Sequence, residues 1–237
     1  MPATPWGRPR KTAVRRVLSQ DAVVTAALHV VDTEGVDALS MRRVAQELGT
    51  GAASLYAHVA GREELIALLL DRVLGAVDCP EPDPARWQEQ VKDVMRQARA
   101  VLVRHGDLAC LMPEVNGIPT GENVTRAAEG MLAILAAAGL PPRVCAYAVD
   151  ALPLYVTAVA AEEAARARRG AADPEQTHDA LLAWLTTYYS SLPKDRFPLI
   201  TGMVDDLVRA EGDERFEFGL DLLVSGLAKH APAAPVT

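Results

Sequence analysis

The 237 residues predict an all-α fold, on three observations. Strand-forming runs are scarce. Alanine and leucine dominate, and apolar positions recur at intervals of three and four, the period of a helix with one buried face. Proline and glycine cluster at a few places, where they separate the periodic runs. Half of the residues are hydrophobic, enough for a sizeable core, and the length suits a small domain followed by a larger one.

The elements follow in chain order. Residues 1–18 read as a flexible basic arm; Met1 to Gln20 hold five cations (Arg8, Arg10, Lys11, Arg15, Arg16) and no acid. Ser19 can cap a helix running to Glu34, with Val23, Ala26, Ala27, Val30 and Val31 on one face and Gly35 ending it. Ser40 can cap a second, short helix from Met41 to Leu48, which Gly49 stops. Thr50 can cap a third, from Gly51 to Val59. After Gly61, Glu63 and Glu64 suit the first turn of a fourth helix reaching Val77. The prolines of Asp78–Pro84 make a linker. Beyond it come an amphipathic helix over Ala85–His105, a largely irregular stretch over Gly106–Asn123 with room for one helical turn, and a helix over Val124–Ala138. A long helix then runs from Pro141 or Pro142 to Arg169, with Pro153 inside it. A loop over Gly170–Pro174 is expected, then helices over Glu175–Ser191, Pro198–Ala210 and Glu214–Lys229. A disordered tail is expected over 231–237. The domain reading is therefore 1–18 arm, 19–77 small domain, 78–230 large domain and 231–237 tail.

The net charge of −7 speaks against nucleic acid, but its distribution does not. The cations of the arm sit at one end and the acidic excess lies beyond residue 73, so one end can meet phosphates while the body stays in solution. No signal peptide and no apolar run of the ~18 residues a membrane span needs is seen, so a cytoplasmic protein with no membrane partner is expected. Cys79, Cys110 and Cys145 are odd in number and far apart, as buried free thiols would be. No Gly-x-Ser-x-Gly elbow, phosphate-binding loop or His-Glu-x-x-His occurs, and the five histidines are scattered, so no catalytic residues are assigned and an enzyme is not expected. His105 with Asp107 reads as a surface pair at a helix end.

Residues 39–65, LSMRRVAQELGTGAASLYAHVAGREEL, carry the functional argument. Two short helices around a glycine turn are the makings of a helix-turn-helix. Val44, Ala45 and Leu48 can pack on Leu55 and on the first helix. The outer face of the second helix bears Thr50, Ala52, Ser54, Ala57 and His58, small and polar groups that allow close approach to a major groove.

This stretch resembles the DNA-binding domain of the TetR family of regulators, in its Thr-Glu-Gly and ALSMRRVAQELG runs, its SLYAHV helix and its Gly-Arg-Glu-Glu-Leu start to the next helix. Residues 87–105, the long helix after Gly139, and RFEFGLDLLVSGLAKH resemble the tetracycline-repressor branch. The resemblance implies a three-helix DNA-binding domain joined to a larger helical ligand-binding and dimerisation domain. It implies that Arg42 reads a base or phosphate and that Ala52, Ala53 and Ser54 meet bases. Tyr56 and His58 then reach phosphate or groove, with packing at the helix junction as the other reading of Tyr56. Arg62 takes the place of a phosphate-touching lysine, and Thr50 both caps and reaches phosphate. Ser40 and Gly51 complete the DNA-facing set. The two alanines supply no hydrogen bond to a base edge and at most favour thymine methyls.

The resemblance also implies an effector site. The histidine that meets a magnesium ion in tetracycline-binding members is replaced by Met112, and nearby polar positions by Val94, Ala98 and Met131. No metal and no cofactor are therefore expected. The implied pocket is mainly apolar, lined by Trp87, Val94, Met95, Ala98, Met112, Val115, Asn116, Met131, Ala146, Val149, Asp150 and Pro153. Ordinary core is the other reading of each, and Asp150 either faces solvent or fixes a polar end of the ligand. Phe216, Phe218, Leu220, Leu223, Val224 and Leu227 are apolar on more than one face of the last helix, so their own core and a second copy must share them. The expected partners are double-stranded operator DNA, a small-molecule effector and a second copy of the chain. An activator of the same fold, or a small-molecule-binding protein or enzyme without DNA binding, remain the rival readings.

Overall fold

The computed structural model describes residues 18–115, 120–172, 177–209 and 212–232. The cations of the basic arm, Asn116 and residues 233–237 of the expected tail lie outside them. Among the described residues there are helices, turns and no strand.

Four helices build the N-terminal unit: α1 (Gln20–Glu34), α2 (Met41–Glu47), α3 (Ala52–Leu55) and α4 (Arg62–Leu74). Ser19 caps α1, its side chain accepting from Ala22 N at 3.1 Å. The α1 residues picked out by their spacing, Val23, Ala26, Ala27, Val30 and Val31, are all buried. They meet Val44, Ala45 and Leu55 together with the inner face of α4, where Leu65, Ile66, Leu69 and Leu70 are fully buried. A helix of four residues cannot hold itself in water, so α3 exists because this core holds it.

The larger unit comprises α5 (Trp87–Arg104), a 3-10 segment over Gly106–Val115, α6 (Glu122–Ala137), α7 (Pro142–Ala172), α8 (His178–Ser190), α9 (Pro198–Gly202), α10 (Val204–Arg209) and α11 (Gly212–Ala228). α5, α6, α7 and α11 pack together around Val91, Val94, Ile134, Leu135, Leu152, Val156, Phe216 and Leu220. This core runs without a break into that of the N-terminal unit, because α4 packs on α5, α6 and the 3-10 segment.

Four expectations are corrected. Residues 106–115, expected to be irregular, form ten residues of 3-10 helix whose Leu108 and Leu111, three apart, are both buried; the 3-10 repeat of three puts them on one face. Gly170–Ala172, expected to open a loop, are instead the last residues of α7. The helix expected over Pro198–Ala210 breaks at Met203 into α9 and α10. The expected tail is seated at its start: Ala231 packs on the core and Pro232 lies against Gly139.

α7 also departs from the run-by-run reading for membrane spans. By length and composition alone it could cross a membrane, since its scattered apolar residues average to a high hydropathy. Between residues 142 and 161 only Arg143 and Asp150 are charged. One side of α7 packs on α5, α6 and the 3-10 segment through Ala148, Leu152, Val156 and Val159, while Tyr147 and Leu154 are exposed.

Candidate DNA-binding surface and effector-binding body

The candidate DNA-facing surface begins with a turn. α2 starts at Ser40, whose hydroxyl accepts from Arg43 N at 3.1 Å. It ends in a left-handed Gly49 at φ 65°. Gly49 N donates to Gln46 O at 3.0 Å and Thr50 N to Ala45 O at 2.9 Å. This paired closure satisfies carbonyls of the last turn that would otherwise lack a donor and sends the chain sharply into α3. Here the sequence reading is corrected in one detail. Gly51, not Thr50, is the N-cap of α3, and the helix is followed by a turn in which His58 N and Val59 N both donate to Leu55 O.

Leu55 and Val59 face inward and are buried, which fixes what faces outward. Gly51, Ala53, Ser54 and Tyr56 are exposed, Tyr56 at 56%, and Ala52, Thr50 and His58 are half-buried. Arg42 and Ser40 are exposed on α2. These residues are exposed or half-buried on α2, the turn and α3, which packs on α2. Arg62 is half-buried, and its Nε donates to Leu39 O at 3.2 Å, which ties α4 to the entry of α2.

Two positioning residues were not anticipated from the sequence. Gln20 Nε2 donates to His58 O at 3.2 Å, holding the turn after α3 to the start of α1. Arg43 donates through Nε to Glu34 at 2.9 Å and through Nη2 to Glu47 at 2.8 Å, clamping α2 onto the end of α1. The hydrogen bond from Arg43 holds the Glu34 carboxyl below its ordinary range. The adjacent arginines thus divide labour, Arg43 locked in a clamp and Arg42 exposed. The i,i+4 spacing of Arg43 and Glu47 was a legible signal; the reach to Gln20 had none.

In the larger unit the structure brings some proposed pocket residues together and separates others. Trp87, Val94, Met95, Met112 and Met131 are buried in the continuous core, with Ala98 and Val149 packed at its margin. Val115 ends the 3-10 segment. Ala146, Asp150 and Pro153 lie on the exposed side of α7, away from that group. On α11, Phe216, Leu220 and Val224 face the chain's own core, Leu223 and Leu227 are half-buried, and Phe218 is 65% exposed. Leu222, which the sequence reading passed over, is exposed as well.

Charge pairs clamp α11 inward. Arg96 on α5 makes a two-pronged contact with Glu217, at 2.8 and 2.7 Å. Arg99 lies between Glu163 of α7 and Asp213, with its guanidinium 4.6 Å from the Phe216 ring centroid. Glu162 of α7 pairs with Arg215. Hydrogen bonds from Arg96 and Arg215 lower the pKa values of Glu217 and Glu162 respectively. Tyr155 adds a hydroxyl donated to Phe216 O at 3.1 Å and a ring stacked on Phe216 at 5.7 Å.

Comparison with known proteins agrees with this division. The family described as bacterial regulatory proteins, tetR family, matches residues 23–69, and the tetracyclin repressor-like C-terminal domain matches residues 79–231. An HTH-type transcriptional regulator of Saccharopolyspora erythraea is 32% identical over 97% of this chain and 93% of its own. The HTH-type transcriptional repressor DrrR1 of Streptomyces coeruleorubidus is 31% identical over 93% of this chain and 81% of its own. The crystal structure of the Streptomyces coelicolor protein ActR in complex with actinorhodin superposes with a TM-score of 0.82 at 41% identity, covering 91% of this chain and 98% of that one. With two matching domains that span nearly the whole described chain and a surface built around a helix-turn-helix, the protein belongs to the TetR family of transcriptional regulators.

Proposed function

We propose that the chain is a cytoplasmic, homodimeric repressor that releases a near-palindromic operator when a mainly apolar small molecule enters its C-terminal unit. The observation that carries this reading is the outward surface of α2 and α3. It is small and polar enough to approach a groove and is held from behind by Leu55, Val59, Gln20 and Arg43. Arg42, Ser40, Thr50, Gly51, Ala52, Ala53, Ser54, Tyr56 and His58 are its contact residues in this reading, and Arg62 braces them.

Dimerisation is supported by apolar surface that the chain does not cover itself. Tyr147 and Leu154 on α7 and Phe218 and Leu222 on α11 are large, apolar and exposed. A second copy related by a two-fold axis buries such helices and sets two recognition helices about 34–36 Å apart, one turn of DNA. The same burial accounts for the apolar length of α7 without a membrane.

The effector reading rests on the buried group Trp87, Val94, Met95, Met112 and Met131, in which methionines adapt readily to a ligand. The 41%-identical ActR is seen with actinorhodin, so actinorhodin heads the set of compounds to try. The test starts from the duplex that the protein selects out of a random pool. Fluorescence anisotropy then measures affinity for that duplex with and without each compound. An active effector weakens binding roughly 5- to 150-fold, the usual range of allosteric coupling. Equal affinities with every compound the protein demonstrably binds would overturn induction, and selection of no duplex would overturn DNA binding.

A further inference from the structure

The N-terminus of α6 is capped by a residue of another unit. α6 begins after Gly121 without a side-chain cap of its own. Asp71, on the last turns of α4, supplies the acceptors instead. Its Oδ1 accepts from Val124 N at 3.0 Å, and its Oδ2 accepts from Asn123 Nδ2 at 3.0 Å. The approach is close enough that a Cβ on Gly121 would collide with the Asp71 carboxylate. Gly75, the C-cap of α4, also lies close to Asn123, where a Cβ would stand 2.9 Å from its Cγ.

This carboxylate has two roles at once. Anion and backbone N–H at a helix start attract one another, both by hydrogen bonding and through the helix dipole. It also fixes where α4 stands relative to the larger unit. The neighbouring Arg72 pairs with Asp21 at the start of α1, so adjacent residues of α4 reach in opposite directions, one to the DNA-binding core and one to α6. Upstream on α4, Arg62 holds the entry of α2, and Leu65, Ile66 and Leu69 share the core with α1, on which α4 packs.

We propose that Asp71 is a positioning residue for DNA binding: by capping α6 from α4 it sets the angle at which the recognition surface leaves the body. The proposal rests on the DNA-binding reading above for its consequence, but its structural half stands apart from that reading. Asp71 touches neither DNA nor effector in this account and acts through α4.

The experiment disturbs one contact from both sides. Asp71→Ala removes the acceptor; Gly121→Ala leaves the acceptor and pushes it away, at a backbone of φ 162° that any residue adopts. Hydrogen–deuterium exchange is followed in both variants, in the double variant and in the full-length parent. Each single variant is expected to speed exchange of the amides at 122–126 roughly 5- to 30-fold, within what a lost helix cap produces. Exchange at 52–66, in α3 and early α4, rises with it. The double variant goes no further than Asp71→Ala alone, because both changes break the same contact. Asp71→Asn, which keeps one acceptor for Val124 N, restores part of the protection. Faster exchange confined to 122–126, with 52–66 unchanged, would overturn the positioning role and leave only a local cap. Effects of the two variants that simply add would overturn the shared contact. If the protein selects a duplex, the four variants lose affinity for it in the same order as their exchange at 52–66. Failure to select any duplex would count against the functional reading while the exchange data still decide the contact.

Discussion

The N-terminal unit and the α8–α10 excursion are both built from short helices, yet one is finished within a single chain and the other is not. In the first, every helix contributes buried residues, down to Leu55 of the four-residue α3. In the second, α8 and α9 contribute none, and their close packing is with each other and with α10. Leu181, Trp184 and Tyr188 run exposed along α8, the Trp184 and Tyr188 rings stacked at 5.4 Å, and Leu199 of α9 is 72% exposed. Apolar surface of that size is seldom left to water in a stable protein, so the difference separates what this chain buries alone from what it leaves uncovered.

The sharpest way to break this comparison is to damage each region separately. Leu69→Ala, in the closed core, is expected to cost about 2–5 kcal/mol of unfolding free energy by denaturant titration, through the lost side chain and the cavity left behind. Next in size, Phe218→Glu with Leu222→Glu is expected to turn the proposed dimer into a single chain by sedimentation. Operator affinity then falls roughly 100-fold or more, because the second half-site no longer binds at high effective concentration. In that single-chain background, Trp184→Ala should change stability by less than about 0.5 kcal/mol, as a substitution on a solvated face does. A large cost there would mean that the excursion is supported within its own chain after all.

Smaller effects sharpen the account. Arg42→Ala should weaken operator binding and, if Arg42 meets phosphate, lower the salt slope by about one counterion, while leaving the fold intact. Ser40→Ala should cost about 1 kcal/mol of stability through the lost cap of α2. The smallest effect is the pH dependence of the charge pairs. Glu217 and Glu162 are held below the ordinary carboxylate range by Arg96 and Arg215, so their contribution is present above the unfolded carboxylate pKa of about 4.3 and is lost as pH falls through their lower folded values. Thermal unfolding at pH 7 and pH 3 should differ less in Glu217→Gln than in the parent, by under about 1 kcal/mol because the pair is partly exposed.

Much of the fold was legible where local chemistry decides it. Ser19, Gly49 and Ser40 bound their helices as their side chains and backbone freedom dictate, and the apolar stripe of α1 is the stripe that is buried. Legibility failed where tertiary packing chose between local options. Residues 106–115 carry a period of three that reads as irregular until Leu108 and Leu111 meet a core. Gly170 stays inside α7, where a glycine costs only about 1 kcal/mol against alanine and so does not by itself end a long helix. The outward surface of α2 and α3 was readable because its burial follows from Leu55 and Val59. The Gln20 and Asp71 contacts were not, since they join residues 38 and more than 50 apart. On α7 the sequence could not say which face turns inward, and Ala146, Asp150 and Pro153 turn out.

The account depends on two copies presenting the α3 surface to one duplex. Hydroxyl-radical footprinting of the selected duplex measures this directly. The prediction is two equal protected patches on one side of the helix, about 34–36 Å apart and related by a two-fold axis. A single protected patch, unchanged when Phe218 and Leu222 are both replaced by glutamate, would contradict it.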